Sequence, residues 1–187
     1  AFDKSGWPQL SPVERAKVML KFMEAMAKRG SQLAQAVSMQ NGMPVSLSNM
    51  LEAQFPAGLL QYYASLADGL SLSESRPSQM GKETLVEKSA IGVVGAIVPW
   101  NFPLILSMID TLPALLAGAA VILKPSEVTP RYTRPLQQIF NQVPAIAAVT
   151  RIVLGPGSTG AELIEHVDAV VCTGSVRTGR LVAEHAA

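Results

Sequence analysis

The side chains best equipped for chemistry stand in short groups, each just after an apolar run. Pro99-Trp100-Asn101 follows Ile91 to Val98, and Lys124, Ser126 and Glu127 follow Ala119 to Leu123. Gly155-Pro156-Gly157-Ser158-Thr159-Gly160 follows Arg151 to Leu154, and Thr173-Gly174-Ser175 follows Ala169 to Cys172. An ammonium beside a carboxylate, as in Lys124 with Glu127, can hold a diol such as a ribose. The same two groups can also form a surface ion pair worth little. The glycine- and serine-rich turns can open helices, where bare N–H groups and the helix dipole suit a phosphate. Ser158 and Ser175 are equally good N-caps. Asn101, set between Trp100 and Phe102-Pro103, either caps the next helix or donates a hydrogen bond to a developing oxyanion. Neither G-x-G-x-x-G nor the Walker pattern occurs.

The elements that must position these groups alternate from Ile91 onwards. Ile91 to Val98 reads as a buried strand, Pro103 to Leu116 as a helix and Ala119 to Leu123 as a second buried strand. Pro130 to Gln142 reads as a helix and Arg151 to Leu154 as a short strand. A helix from Ser158 to about His166, the strand Ala169 to Cys172 and a helix from Val176 follow. Continuous apolar strands alternating with helices predict an α/β fold with a parallel sheet covered on both faces. In such sheets ligands bind beyond the carboxyl ends of the strands, so the four polar groups are expected to share one rim.

The first half of the chain has a different grammar. Ser11-Pro12-Val13-Glu14 has the form of a capping box with proline in the first turn. Ala16, Leu20, Met23 and Ala27 continue it at helical spacing, and Lys28-Arg29-Gly30 reads as a stop. A second helix is expected from Ser31 to Gln40, ended by Asn41-Gly42, and a third over Leu59 to Leu66. Ser71 to Met80 reads as a loop, and Glu83 to Lys88 as an exposed strand. The methionines, eight in all, read as core filler.

Composition narrows the function. Among 187 residues, 49% are hydrophobic, and 15 basic against 14 acidic residues leave a net charge of +1. That is no footprint for nucleic acid or an anionic membrane. The single cysteine and two histidines predict neither a disulfide framework nor a metal centre. The apolar run from Gly95 to Leu123 is broken by Pro99, Pro103 and Pro113. Asp110 at a bilayer centre would cost roughly 2.5–3.5 kcal/mol, so a membrane span is not expected. The N-terminus is no signal peptide and lacks an initiator Met, so the chain is expected to begin inside a longer protein.

The stretches VPWNFP, LKPSE and CTGSVRTG, in this order and spacing, resemble the aldehyde dehydrogenase superfamily, and GWPQLSPVERAKVMLKF and QNGMP resemble its N-terminal helices. The resemblance covers essentially the whole chain. It implies an incomplete aldehyde dehydrogenase fold: N-terminal helices over 1–80, an exposed, oligomerisation-type strand over 81–91 and a Rossmann-like dinucleotide-binding region over 92–187. It further implies oxidation of a small-molecule aldehyde to a carboxylic acid with NAD, or NADP as the alternative, in a cytoplasmic enzyme that is a homo-oligomer at full length. Asn101 matches the family's oxyanion-hole asparagine. Val98, Pro99 and Trp100 match the wall of the cofactor channel, and Lys124, Ser126 and Glu127 the segment that holds the adenosine ribose. Gly157 and Gly160 fall in the turn near the adenine. Gly174, Ser175 and Thr178 fall at the helix start that meets the pyrophosphate.

The sequence also departs from the family pattern. Asp110 stands where many members carry lysine, Ala119 where many carry asparagine, and Cys172 where phenylalanine is usual. The turn GPGSTG is one residue shorter than the common version. The family's catalytic cysteine and general-base glutamate lie further along the chain than Ala187. The chain is thus expected to be a fragment that cannot run the thiol chemistry alone. A non-catalytic dinucleotide-binding module and a truncated structural subunit are the alternatives.

Overall fold

The computed structural model describes residues 2–187. Helix α1 (Pro12–Ala27) starts at the capping box: Ser11 Oγ accepts from Glu14 N–H, and the Glu14 carboxylate accepts from Ser11 N–H at 2.7 Å. Helix α2 (Gly30–Asn41) follows almost at once and ends at Gly42, whose φ of 75° is a left-handed cap that few other residues tolerate. The third helix is longer than the sequence suggests. It runs through α3 (Val45–Ser48), a π-helical turn (Asn49–Gln54) and α4 (Phe55–Ser65). The wide turn comes just before Pro56, whose missing N–H would interrupt an ordinary ladder.

Strands β1 (Ser73–Pro77) and β2 (Glu83–Glu87) pair antiparallel as a separate ribbon. The segment 71–80, expected as a loop, therefore contains a strand. Its residues are mostly exposed, so no apolar alternation marks it. The expected strand at 83–88 is β2.

Strands β3 (Val93–Ile97), β4 (Ala120–Lys124), β5 (Thr150–Ile152) and β6 (Ala169–Cys172) form one parallel sheet in the order β5-β4-β3-β6. Helices α5 (Pro103–Leu116), α6 (Thr133–Phe140), α7 (Pro144–Val149), α8 (Gly157–Ile164) and α9 (Val176–Ala186) complete the chain. A 3₁₀ turn, Pro130–Tyr132, leads into α6. The expected helix over 130–142 is thus divided, and α7 was not anticipated.

Alternate residues of β3 and β4 face opposite layers. Ala96, Val98, Val121 and Leu123 join the main core with α1, α4, α5 and α6. Phe22 of α1 stacks on Phe140 of α6 at 5.2 Å between centroids, a contact worth about 0.5–1.5 kcal/mol beyond its area. Ile97 and Ile122 pack on the other face against Leu163, Ile164 and Val182 of α8 and α9. This coverage of both faces explains why the central strands read as unbroken apolar runs. Asp168 Oδ2 accepts from Val93 N–H at 2.7 Å and ties the foot of β6 to that of β3. No helix among the described residues is long and apolar enough to cross a membrane.

Candidate functional site

A cleft of about 440 Å³ opens beyond the carboxyl ends of β3, β4 and β6. Its walls contain Val98, Pro99 and Trp100 after β3, and Lys124, Ser126 and Glu127 at and after β4. Gly157 and Gly160 of α8, Gly174 and Ser175 before α9, and Thr178 in its first turn complete the set. The structure thus brings together every cofactor-binding candidate named from the sequence.

Each arrives by a local rule. Ile97 and Lys124 are register partners at the ends of their strands, so both point to the α8 face. Lys124 is buried, and its Nζ lies 3.4 Å from Glu127 Oε2, which stands in solvent. A backbone hydrogen bond from its own N–H, and after it the Lys124 ammonium, hold the Glu127 carboxyl below its ordinary range. Ser175 caps α9: its Oγ accepts from Thr178 N–H at 3.1 Å and lies 3.0 Å from Thr178 Oγ1. Ser158 does not cap α8. That helix begins at Gly157 after Pro156, with no side-chain cap. Gly155 gives the Thr159 side chain its room, since a Cβ there would stand 2.1 Å from Thr159 Oγ1 and force it to shift. The N-terminal turns of α8 and α9 border the same cleft through Gly157, Ser175 and Thr178, with Thr159 N–H donating to Pro156 O and Thr178 N–H to Ser175 Oγ.

Asn101 is exposed and is not among the residues that line the cleft; it adjoins Trp100 at the mouth. It is also not the cap of α5. The N-cap is Phe102, which offers no side-chain bond. The cap comes instead from Glu52, whose Oε2 accepts from Leu104 N–H at 2.9 Å and Ile105 N–H at 3.0 Å. Two further side chains hold the loop by its carbonyls. Asn41 Nδ2 donates to Asn101 O at 3.0 Å, and Thr129 Oγ1 donates to Trp100 O at 3.3 Å.

Sequence reasoning missed these supports, and it missed the far wall of the cleft. Leu181, Val182 and His185 line it with Thr178. Their helical spacing from Thr178 was the available signal. Cys172 sits half-buried on β6. Burial, and next the carboxylate of Asp110, push its thiol pKa up, so it is a poor nucleophile. No cluster of metal-binding side chains occurs among the described residues.

A model of the aldehyde dehydrogenase family matches residues 1–187. The geranial dehydrogenase of Castellaniella defragrans is 44% identical over 186 residues, 98% of this chain and 39% of that protein. The betaine aldehyde dehydrogenase of Bacillus subtilis is 36% identical, over 97% of this chain and 38% of that protein. The structure of a Mycobacterium tuberculosis aldehyde dehydrogenase complexed with NAD+ matches with a TM-score of 0.92 at 34% identity, covering 100% of this chain and 39% of that one. The expected parallel α/β fold is borne out, over part of a longer fold: the chain spans under two fifths of the length of these proteins.

Proposed function

The chain belongs to the aldehyde dehydrogenase family, and from that premise we propose that it is the nucleotide-binding portion of an enzyme that oxidises an aldehyde to a carboxylic acid with NAD. The observation that carries this reading is the convergence of the cofactor-binding candidates on one cleft at the carboxyl ends of a parallel sheet. The groups present fit a dinucleotide. Two helix N-terminal turns border the cleft with the positive ends of their dipoles, which suits a pyrophosphate, an ammonium–carboxylate pair suits ribose hydroxyls, and Leu181 and Val182 offer an apolar wall for a base.

In this reading Lys124 and Glu127 hold the adenosine ribose, with Ser126 beside them. The first turn of α9, with Gly174, Ser175 and Thr178, takes the pyrophosphate. Gly157 and Gly160 leave room for the adenine, and Val98, Pro99 and Trp100 form the channel wall towards Asn101. When bound, NAD supplies a hydride acceptor. Asn101 donates its side-chain amide to the oxygen that gains charge as a thiolate adds to the aldehyde carbonyl. That thiolate comes from outside these residues, because Cys172 is the only cysteine and lies half-buried on a strand. The ribbon β1–β2 stands outside the core and suits assembly of copies.

Isothermal titration of NAD into the protein tests the reading. Saturable binding that Glu127→Ala weakens is expected. No saturable binding, or binding indifferent to Glu127→Ala and to a bulky residue at Gly174, overturns it.

A further inference from the structure

We propose that Glu52 is a positioning residue for Asn101, holding the first turn of α5 so that the amide of the preceding loop keeps one direction. The inference rests on the reading of Asn101 as the oxyanion donor.

The arrangement is costly for a plain helix cap. A serine or aspartate at position 102 would cap α5 locally, yet Phe102 stands there and makes no side-chain bond. The acceptor comes instead from a carboxylate 52 residues up the chain from Leu104. Glu52 is 0% exposed, and its Oε1 has no hydrogen-bond partner among the described residues. Burial pushes its pKa up to about 7 against the pull of the two N–H groups. Desolvating a carboxyl in this way is expensive, so a stability role alone is poorly served by it.

What the arrangement achieves is geometric. Glu52 sits in the π-helical turn Asn49–Gln54, and such turns redirect side chains from an otherwise regular helix. Its single oxygen grips the N–H groups of Leu104 and Ile105. Asn41, from the end of α2, grips the carbonyl of Asn101 itself, and Thr129, 0% exposed, that of Trp100. Asn101 is thereby fixed on both sides by groups from three separate parts of the chain. The grip leaves its side chain free, since only the backbone is held. Catalytic hydrogen bonds demand this kind of support, because misplacement by about 1 Å can cost up to about 10²-fold in rate.

The test is a double-mutant cycle in the full-length enzyme, reading kcat, KM and NAD Kd. Glu52→Ala is expected to lower kcat by about 10- to 100-fold while NAD Kd stays within about twofold. Glu52→Gln, whose amide oxygen can still accept both N–H groups, recovers most of that loss. On an Asn101→Ala background, Glu52→Ala costs little more. Additive losses across the cycle overturn the positioning role, as does a Glu52→Ala enzyme with normal kcat and only a lowered Tm. If Glu52→Ala does not fold, the same cycle with Glu52→Asp decides, since that carboxylate is one methylene too short to keep both N–H groups in place. Normal kcat in Asn101→Ala itself overturns the oxyanion reading and this inference with it; a low kcat there with additive Glu52→Ala overturns this inference alone.

Discussion

Lys124 and Glu127 are a pair of opposite exposure: the ammonium is buried at the end of β4, and the carboxylate that faces it at 3.4 Å stands in solvent. Such a pair contributes little to folding, since the exposed partner is already well solvated. On the proposed reading its use lies in what it offers a ligand, a buried donor and an accessible acceptor side by side.

That geometry predicts a preference between cofactors. A ribose 2′-hydroxyl donates to the Glu127 carboxylate, whereas a 2′-phosphate meets like charge, at a cost of order 1 kcal/mol or more when partly desolvated. The full-length enzyme is expected to favour NAD over NADP in kcat/KM, and Glu127→Gln to narrow the gap. Equal values for the two cofactors, or no change in Glu127→Gln, would reject this.

Asn101→Ala is expected to lower kcat of the full-length enzyme by about 10²–10³, as for loss of one oxyanion donor. Its Tm should hardly move, because the cap of α5 is supplied by Glu52. Asn101→Ser should be as slow as Asn101→Ala, since its hydroxyl is too short to reach the oxyanion. A fast Asn101→Ser enzyme would end the assignment.

The 187-residue chain alone is expected to show no aldehyde oxidation. Cys172 is held half-buried with its thiol pKa raised, and reagents that seek thiolates should label it slowly. Turnover that disappears in Cys172→Ser is the outcome that sinks this prediction.

Two buried carboxyls set a pH dependence of stability. Burial raises Glu52 from 4.5 to about 7 and Asp110 from 3.8 to about 6. Each therefore holds its proton more tightly folded than unfolded. Their contribution is fully present below about pH 4 and is lost as pH rises to about 7, with a slope of at most about 1.4 kcal/mol per pH unit for each group. Urea unfolding at pH 5 and pH 7.5 should show a smaller difference in Glu52→Gln and Asp110→Asn than in the parent. An unchanged difference would show that both groups titrate normally.

The legible part of this fold is the part written as apolar runs with clear punctuation at both ends. Helix α5 runs over Pro103–Leu116 and β6 over Ala169–Cys172, the bounds expected from apolar runs and their punctuation. Strand β1 left no such trace, because Ser73–Pro77 is a mostly exposed ribbon edge with no inner face to mark. Helix α4 and the turns before it extend well upstream of Leu59, through Pro56, a residue that punctuates sequence even where the helix continues. The rim residues were legible because each follows a strand. Glu52, Asn41 and Thr129 were not, since a side chain that holds a distant backbone group follows no periodic rule.

The strand order predicts an order of events in folding. Val94 pairs with Val121 across the single crossover through α5, but it meets Ala169 only after α6, α7, β5 and α8 have been made. Closing the longer loop costs more chain entropy, and contacts so distant along the chain form late. β3 and β4 should therefore protect their amides from exchange before β6 does, and the bond from Val93 N–H to Asp168 should be among the last to set. Simultaneous protection of all the strands in pulse-labelled exchange would contradict this. Between the two events the hydrogen-bonding edge of β3 is bare, and it is during that interval that a growing chain is most open to pairing with another.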